Sequence, residues 1–183
     1  GMKPTHKTVP DEGCFPLAPS LDSIGPLAKD VAGCARLLSV LADRPFDLAE
    51  GLSPARIRLG VARGGFLAEA APSVAKAYEA AIERVTRLGI AVEPVDLDGF
   101  YKEMLAVCPV PLVTVEAAAV HRDLLASKAE TYDRRVAARI AIGVPCKAVD
   151  YIIAMEKRRA LIARLAAQLD GLDGFLAPTV PIE

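Results

Sequence analysis

Apolar positions recur along most of the chain in two rhythms, one near 3.6 residues and one of 2. Leu27, Val31, Cys34, Ala35, Leu38 and Leu41 follow the helical rhythm. Gly25 followed by Pro26 predicts the N-cap and first turn of that helix. A loop is expected at 43–55. "IRLGVAR" at 57–63 then alternates Ile57, Leu59 and Val61 with Arg58, Gly60 and Ala62, a strand pattern. Pro72 opens a second helix whose Val74, Ala77, Tyr78, Ala81, Val85 and Leu88 fall on one face, and Gly89 is placed to end it. "IAVEPVDL" at 90–97 reads as a second strand. Strand, helix and strand in succession form a βαβ unit with parallel strands.

The remaining pattern is mainly helical. Helices are expected near 98–107, 111–128 and 131–142, the last stopping at Gly143, and over about 146–170. "GFLAPT" at 174–179 reads as a third, buried strand. By contrast, 3–25 carries Pro4, Pro10, Pro16 and Pro19, each of which biases its predecessor away from helix, so extended and turn structure is expected there. The fold class is α/β: a small, mainly parallel sheet of three strands packed by helices, in a single domain covering residues 1–183.

Composition supports a folded chain, with 183 residues, 52% of them hydrophobic. A net charge of −1 gives no electrostatic reason for nucleic acid or an anionic membrane as partner. The basic groups Arg134-Arg135 and Lys157-Arg158-Arg159 have acidic neighbours and read as solvated helix faces. No apolar run approaches the roughly 20 residues that span a bilayer. Cys14, Cys34, Cys108 and Cys146 are widely spaced, and His6 and His121 are the two histidines. That pattern argues against a zinc site, any other metal site or a disulfide framework, and favours reduced thiols in a cytoplasm.

Self-contained chemistry is not evident. The sequence has no GxSxG elbow, P-loop or HExxH motif. "GVARGGFLAEA" places glycines after a strand, but G-x-x-x-G-G is not the dinucleotide fingerprint, and a βα loop is the expected reading. His121 lies in a helical stretch without a motif-supplied acid, and the spacing of Ser20, Asp22 and His121 does not support a triad. No cofactor is expected.

An ordered set of segments resembles the amidase signature family. Lys3, Pro4 and Thr5 match its G-x-[KR]-P-T element. Phe15, Pro16, Ser20, Leu21, Asp22, Gly25 and Pro26 match its F-x-[LS]-[AS]-x-S-L-D-x-x-G-P element. "IRLGVA", "EAAAVHRDLL", "YDRRVAARIAIG", "AVDYIIAMEKRRALI" and "LDGFLAPTVP" continue the likeness in family order. The resemblance implies hydrolysis of a carboxamide C–N bond, or ammonia release for an amidotransferase, through a nucleophilic serine, a cis serine and a lysine. In the family that machinery precedes the segment matched by Lys3, so no residue of this chain is assigned a catalytic role. On this reading both ends look truncated. Lys7 stands where the family commonly has glycine.

Within the resemblance, Ser20 and Asp22 read as turn residues. Tyr132 and Arg139 fall in a segment that approaches the substrate pocket in some members and are the candidate substrate-binding residues. An arginine there suits either a bidentate grip on a carboxylate or a structural ion pair. The expected partners are a small amide substrate and either a second copy of the chain, most simply as a dimer, or a complementary catalytic chain. The rival readings are one half of a split amidase and a non-catalytic domain that keeps the fold and binds a small molecule or a protein.

Overall fold

The computed structural model describes residues 1–46, 48 and 52–182, apart from the side chain of Phe66. The loop expected at 43–55 therefore includes residues outside the described set. The chain divides into two compact units, 1–50 with 109–151 and 51–108 with 152–183, a division that the sequence reading of 1–183 as one domain did not draw. Among the described residues no helix is long and apolar enough to cross a membrane.

The second unit holds the sheet. Strand β1 (Arg58–Arg63) lies between β2 (Ala91–Asp96) and β3 (Gly174–Leu176), and both pairings are parallel. Arg58 sits opposite Ala91 and Leu59 opposite Gly174. The three parallel strands are those expected from the pattern. Pro94 is accommodated because β2 is an edge strand. The third strand is not buried as expected: Phe175 is 36% exposed, because β3 is the other edge.

Helix α2 (Pro72–Arg87) starts at its proline and ends as expected at Gly89, whose φ of 86° is left-handed and strained for any other residue. Its inward face is Val74, Tyr78, Ala81, Ile82 and Val85. Ile82 was not in the expected stripe, and Ala77 and Leu88, which were, are exposed. Tyr78 and Ile82 pack with Val61, Ala62, Val95 and Leu97 as the core of this unit. Val61, Ile82, Val95 and Leu97 each gain about 1.5–3 kcal/mol on leaving water. Helix α3 (Asp98–Leu105) follows β2 directly.

The first unit is built from loops and short helices. Helix α1 (Val31–Leu41) begins later than the expected cap at Gly25-Pro26. Asp30 is the cap, its carboxylate accepting the Gly33 N–H at 2.6 Å. Gly25 serves another purpose: the Met2 N–H donates to the Pro26 carbonyl at 2.9 Å, and a Cβ on Gly25 would lie 2.0 Å from the Met2 carbonyl oxygen. Cys34 and Leu38 of the expected stripe are buried, whereas Leu27 and Val31 are exposed.

The helix expected over 111–128 is two helices, α4 (Leu112–Val120) and α5 (Arg122–Lys128). They meet at His121, whose ψ of 1° breaks the helical path. Helix α6 (Arg134–Ala141) starts after Asp133, whose carboxylate caps it through the Arg135 N–H at 2.8 Å. Gly143 follows the end of α6, and a Cβ there would lie 2.1 Å from the Thr114 carbonyl oxygen, so only glycine allows the chain to pass α4 so closely. Helix α7 (Ala148–Gln168) completes the set, trimmed by two residues at each end relative to the pattern.

Candidate functional site

The segment with the densest motif, residues 15–26, has almost no regular structure, so its shape must be fixed by side chains. Asp22 does this locally. Its carboxylate accepts the Leu17 N–H at 2.8 Å and the Ala18 N–H at 3.0 Å, while the N–H groups of Leu21 and Asp22 both donate to the Ala18 carbonyl at 2.8 Å. Ser20 is held from a distance in sequence. Its N–H donates to Glu116 Oε2 at 2.8 Å and its hydroxyl donates to Glu116 Oε1. The Tyr151 hydroxyl donates to the same Oε1 at 3.1 Å. Glu116 is 7% exposed, so three donors converge on a carboxyl group with little access to water.

The other motif residues lie beside this network. Lys3 donates through Nζ to the Pro4 carbonyl at 2.7 Å, and Ser23 reaches the same carbonyl at 3.3 Å. A His6 ring nitrogen lies 3.0 Å from the Asp22 carbonyl oxygen. Thr5 closes a turn by accepting the Thr8 N–H at 3.0 Å. Lys7, at the third position of that turn, has a φ of 63°. Lysine therefore adopts the left-handed conformation for which the family commonly has glycine, and the turn forms without it.

Glu116 was absent from the sequence-derived candidates. The signal was there: a lone acid inside the apolar run Val115–Val120 can stay buried only with hydrogen-bond partners. A helical period passes over a single polar member.

Tyr132 enters a cleft of about 420 Å³ in the same unit, with Phe15, His121, Leu124, Lys128 and Val136 among its walls. A 2.7 Å hydrogen bond joins the Tyr132 hydroxyl to His121 Nδ1. The two rings meet edge to face with centroids 5.7 Å apart, and Phe15 lies 5.3 Å from the His121 ring. Arg139 is exposed and is not among the residues lining that cleft. No carboxylate among the described residues forms an ion pair with it. Of the two candidate residues, Tyr132 lines this cleft and Arg139 does not.

Ser20, Asp22 and His121 do not converge either. The Ser20 hydroxyl is committed to Glu116, the Asp22 carboxylate to two backbone amides, and His121 Nδ1 to Tyr132. In the second unit the glycine-rich loop is already filled by an acid of the chain itself. Gly64 and Gly65 have φ of 69° and 60°, and the Gly65 N–H donates to Asp98 Oδ1 at 2.6 Å. A backbone amide that would face a phosphate in a dinucleotide loop faces a carboxylate here. Among the described residues, no group of three or more His, Cys, Asp or Glu side chains is placed to hold a metal, and none of the four cysteines is in a disulfide.

The Amidase family model matches residues 1–183. An amidase of Pseudomonas putida is 31% identical over 196 residues, an alignment covering 100% of this chain and 42% of that protein. A glutamyl-tRNA(Gln) amidotransferase subunit of Pelobacter propionicus is 27% identical over 218 residues, covering 99% of this chain and 44% of that one. A crystal structure of an amidase superposes with a TM-score of 0.85 at 30% identity, covering 98% of this chain and 40% of its own. The chain spans about two fifths of the length of these relatives.

Proposed function

The chain belongs to the amidase family, and from that premise we propose that it is the non-nucleophilic part of an enzyme that hydrolyses a carboxamide C–N bond. In the mechanism the resemblance implies, a serine attacks the amide carbonyl, ammonia or an amine leaves with a proton, and water then releases the carboxylate from the acyl-enzyme. The serine pair and lysine come from polypeptide outside residues 1–183, continuous with this chain or separate from it. This chain contributes walls and fixed loops. The observation that supports the reading is the Ser20–Glu116–Tyr151 network, which rigidifies the motif segment in the absence of regular structure.

The test is an amide hydrolysis assay of the chain alone and together with the segment that precedes the matched motif in its relatives. Turnover is expected only in combination. The chain alone should resist serine-directed fluorophosphonates, and stoichiometric labelling of one of its serines would overturn the proposal.

A covering partner belongs to the same reading. Leu27, Val31 and Val40 are 83, 72 and 79% exposed, apolar surface that a covering chain would remove from water. The relative named as an amidotransferase subunit suggests a partner chain; a symmetric dimer is the other form. Light scattering over a concentration series should show mass above that of one chain. A constant mass of one chain at high micromolar concentration would remove the self-association form.

A further inference from the structure

The cleft at Tyr132 has a chemistry of its own. Three rings, Phe15, His121 and Tyr132, are arranged in series, with centroid separations of 5.3 and 5.7 Å. Interplanar angles of 58° and 80° leave ring edges and faces directed differently, so a further flat ring can meet them in the edge-to-face or offset geometries that aromatic pairs prefer. Leu124 and Val136 add aliphatic walls. The cleft is an open one, with Phe15 66% and Val136 48% exposed, and its volume of about 420 Å³ accommodates one substituted ring.

The polar groups are few and differ in how free they are. Asp133, also on the wall, is engaged by the Arg135 N–H at 2.8 Å and its guanidinium at 3.1 Å, and that pairing holds its carboxyl below the usual range. Lys128 has no ion-pair partner among the described residues. Its ammonium is the unneutralised charge of the cleft. His121 and Tyr132 are bonded to each other, with the second ring nitrogen and the remaining capacity of the phenol oxygen available to a ligand.

We propose that this cleft binds an aromatic carboxylic acid, with the ring against Phe15, Leu124 and Val136, the carboxylate toward Lys128, and the His121–Tyr132 pair fixing its orientation. The proposal rests on the amidase reading in one respect: an aryl carboxylate is the product of cleaving an aryl amide, so the cleft would select an aryl acyl group. Its binding test does not require catalysis.

The experiment is an NMR titration of the full chain with benzoate, benzamide, cyclohexylamine and acetate. Benzoate is expected to cause saturable shifts at His121, Leu124, Tyr132 and Val136, with a dissociation constant on the order of 1 mM, since one small ring offers few contacts. Benzamide should bind several-fold more weakly, and acetate and cyclohexylamine should not saturate. Lys128→Gln, at an exposed position, should bring benzoate and benzamide to about equal affinity. Val136→Glu should abolish both, and Tyr132→Phe should weaken both several-fold with the shifts still centred on the cleft. Shifts outside the cleft, equal responses to acetate and benzoate, or a benzoate preference that survives Lys128→Gln would each overturn the proposal. An active combined enzyme whose cleft ignores benzoate would refute the aryl site and leave the hydrolase reading standing. Benzoate binding with no hydrolysis in combination would do the reverse.

Discussion

The two units reach stability by different chemistry. In the unit of 51–108 and 152–183, the parallel ladder satisfies backbone groups in bulk, so Val61, Ala62, Ile82, Val95 and Leu97 are free to be apolar. In the unit of 1–50 and 109–151, the motif segment has no ladder, and its amides are satisfied by carboxylates: Asp22 for Leu17 and Ala18, Glu116 for Ser20. A loop can be as fixed as a strand, but only if polar side chains take over the accounting of backbone donors. Such side chains cannot be exchanged for others of similar size. The sheet core tolerates repacking, whereas the loop network depends on particular atoms.

The sharpest challenge to this contrast is Gly143→Ala. The added Cβ would meet the Thr114 carbonyl oxygen at 2.1 Å and the Val115 nitrogen at 2.6 Å, both backbone atoms that cannot swing away. A loss of about 3 kcal/mol is expected, read from urea unfolding, because overpacking against backbone has no rotamer escape. A loss below about 1 kcal/mol would mean that α4 and the end of α6 are not held as closely as described.

Next comes Glu116→Ala. It leaves the Ser20 N–H, the Ser20 hydroxyl and the Tyr151 hydroxyl without their acceptor in a place water reaches poorly. The expected cost is about 2 kcal/mol, with faster amide exchange at Ser20 as the local signature. Unchanged exchange there would show that the segment is fixed by something other than this carboxyl group.

Much of the second unit was legible from sequence because its signals are periodic. Alternation at 57–63 marks β1, the stretch IAVEPVDL at 90–97 marks β2, and Pro72 with Gly89 marks both ends of α2. The first unit was less legible because its determinants join residues far apart. Nothing in the pattern around Gly25 reveals that Met2 lies against it, so the glycine resembles a helix cap in sequence while Asp30 holds that role. His121 could not be seen to break a helix, since the apolar period runs through it. The site divides in the same way. Ser20 and Asp22 carry recognisable turn chemistry, but their anchor Glu116, 96 residues from Ser20, becomes visible only in space.

Tyr78→Phe probes a polar side chain in the core of the sheet unit. Its hydroxyl lies 3.1 Å from the Ala62 carbonyl oxygen and 2.9 Å from that of Leu176. Removal should cost about 1 kcal/mol in urea unfolding. Burial also raises the phenol above its ordinary value, so the folded state keeps its proton where the unfolded chain loses it. The associated stability is complete below about pH 10 and declines as pH rises through the unfolded and then the folded value. Tyr78→Phe should flatten that alkaline decline, and an unaltered slope would assign the decline to other groups.

The smallest expected effect tests whether the loop unit carries strain. Thr5 to Thr8 form a hydrogen-bonded turn in which Lys7, at the third position, has a φ of 63° while His6 is not in the left-handed region. That is the type II pattern, which favours glycine at the position Lys7 fills. Relief of a left-handed side chain favours Lys7→Gly by about 1–2 kcal/mol, and the greater freedom of glycine in the unfolded chain returns up to about 1 kcal/mol. A net gain of about 0.5 kcal/mol is expected at neutral pH, read from the urea midpoint. The variant also loses the ion pair from Lys7 to Asp11, whose hydrogen bond holds the Asp11 carboxyl below its ordinary value. A carboxyl depressed in the folded state contributes above its unfolded value and stops contributing as pH falls through the folded one. The parent chain therefore loses this contribution below about pH 4 and the glycine variant has none to lose. The advantage of Lys7→Gly should widen on acidification and narrow on return to neutrality. An advantage that shrinks in acid would show that the Lys7–Asp11 pair does not stabilise the folded chain.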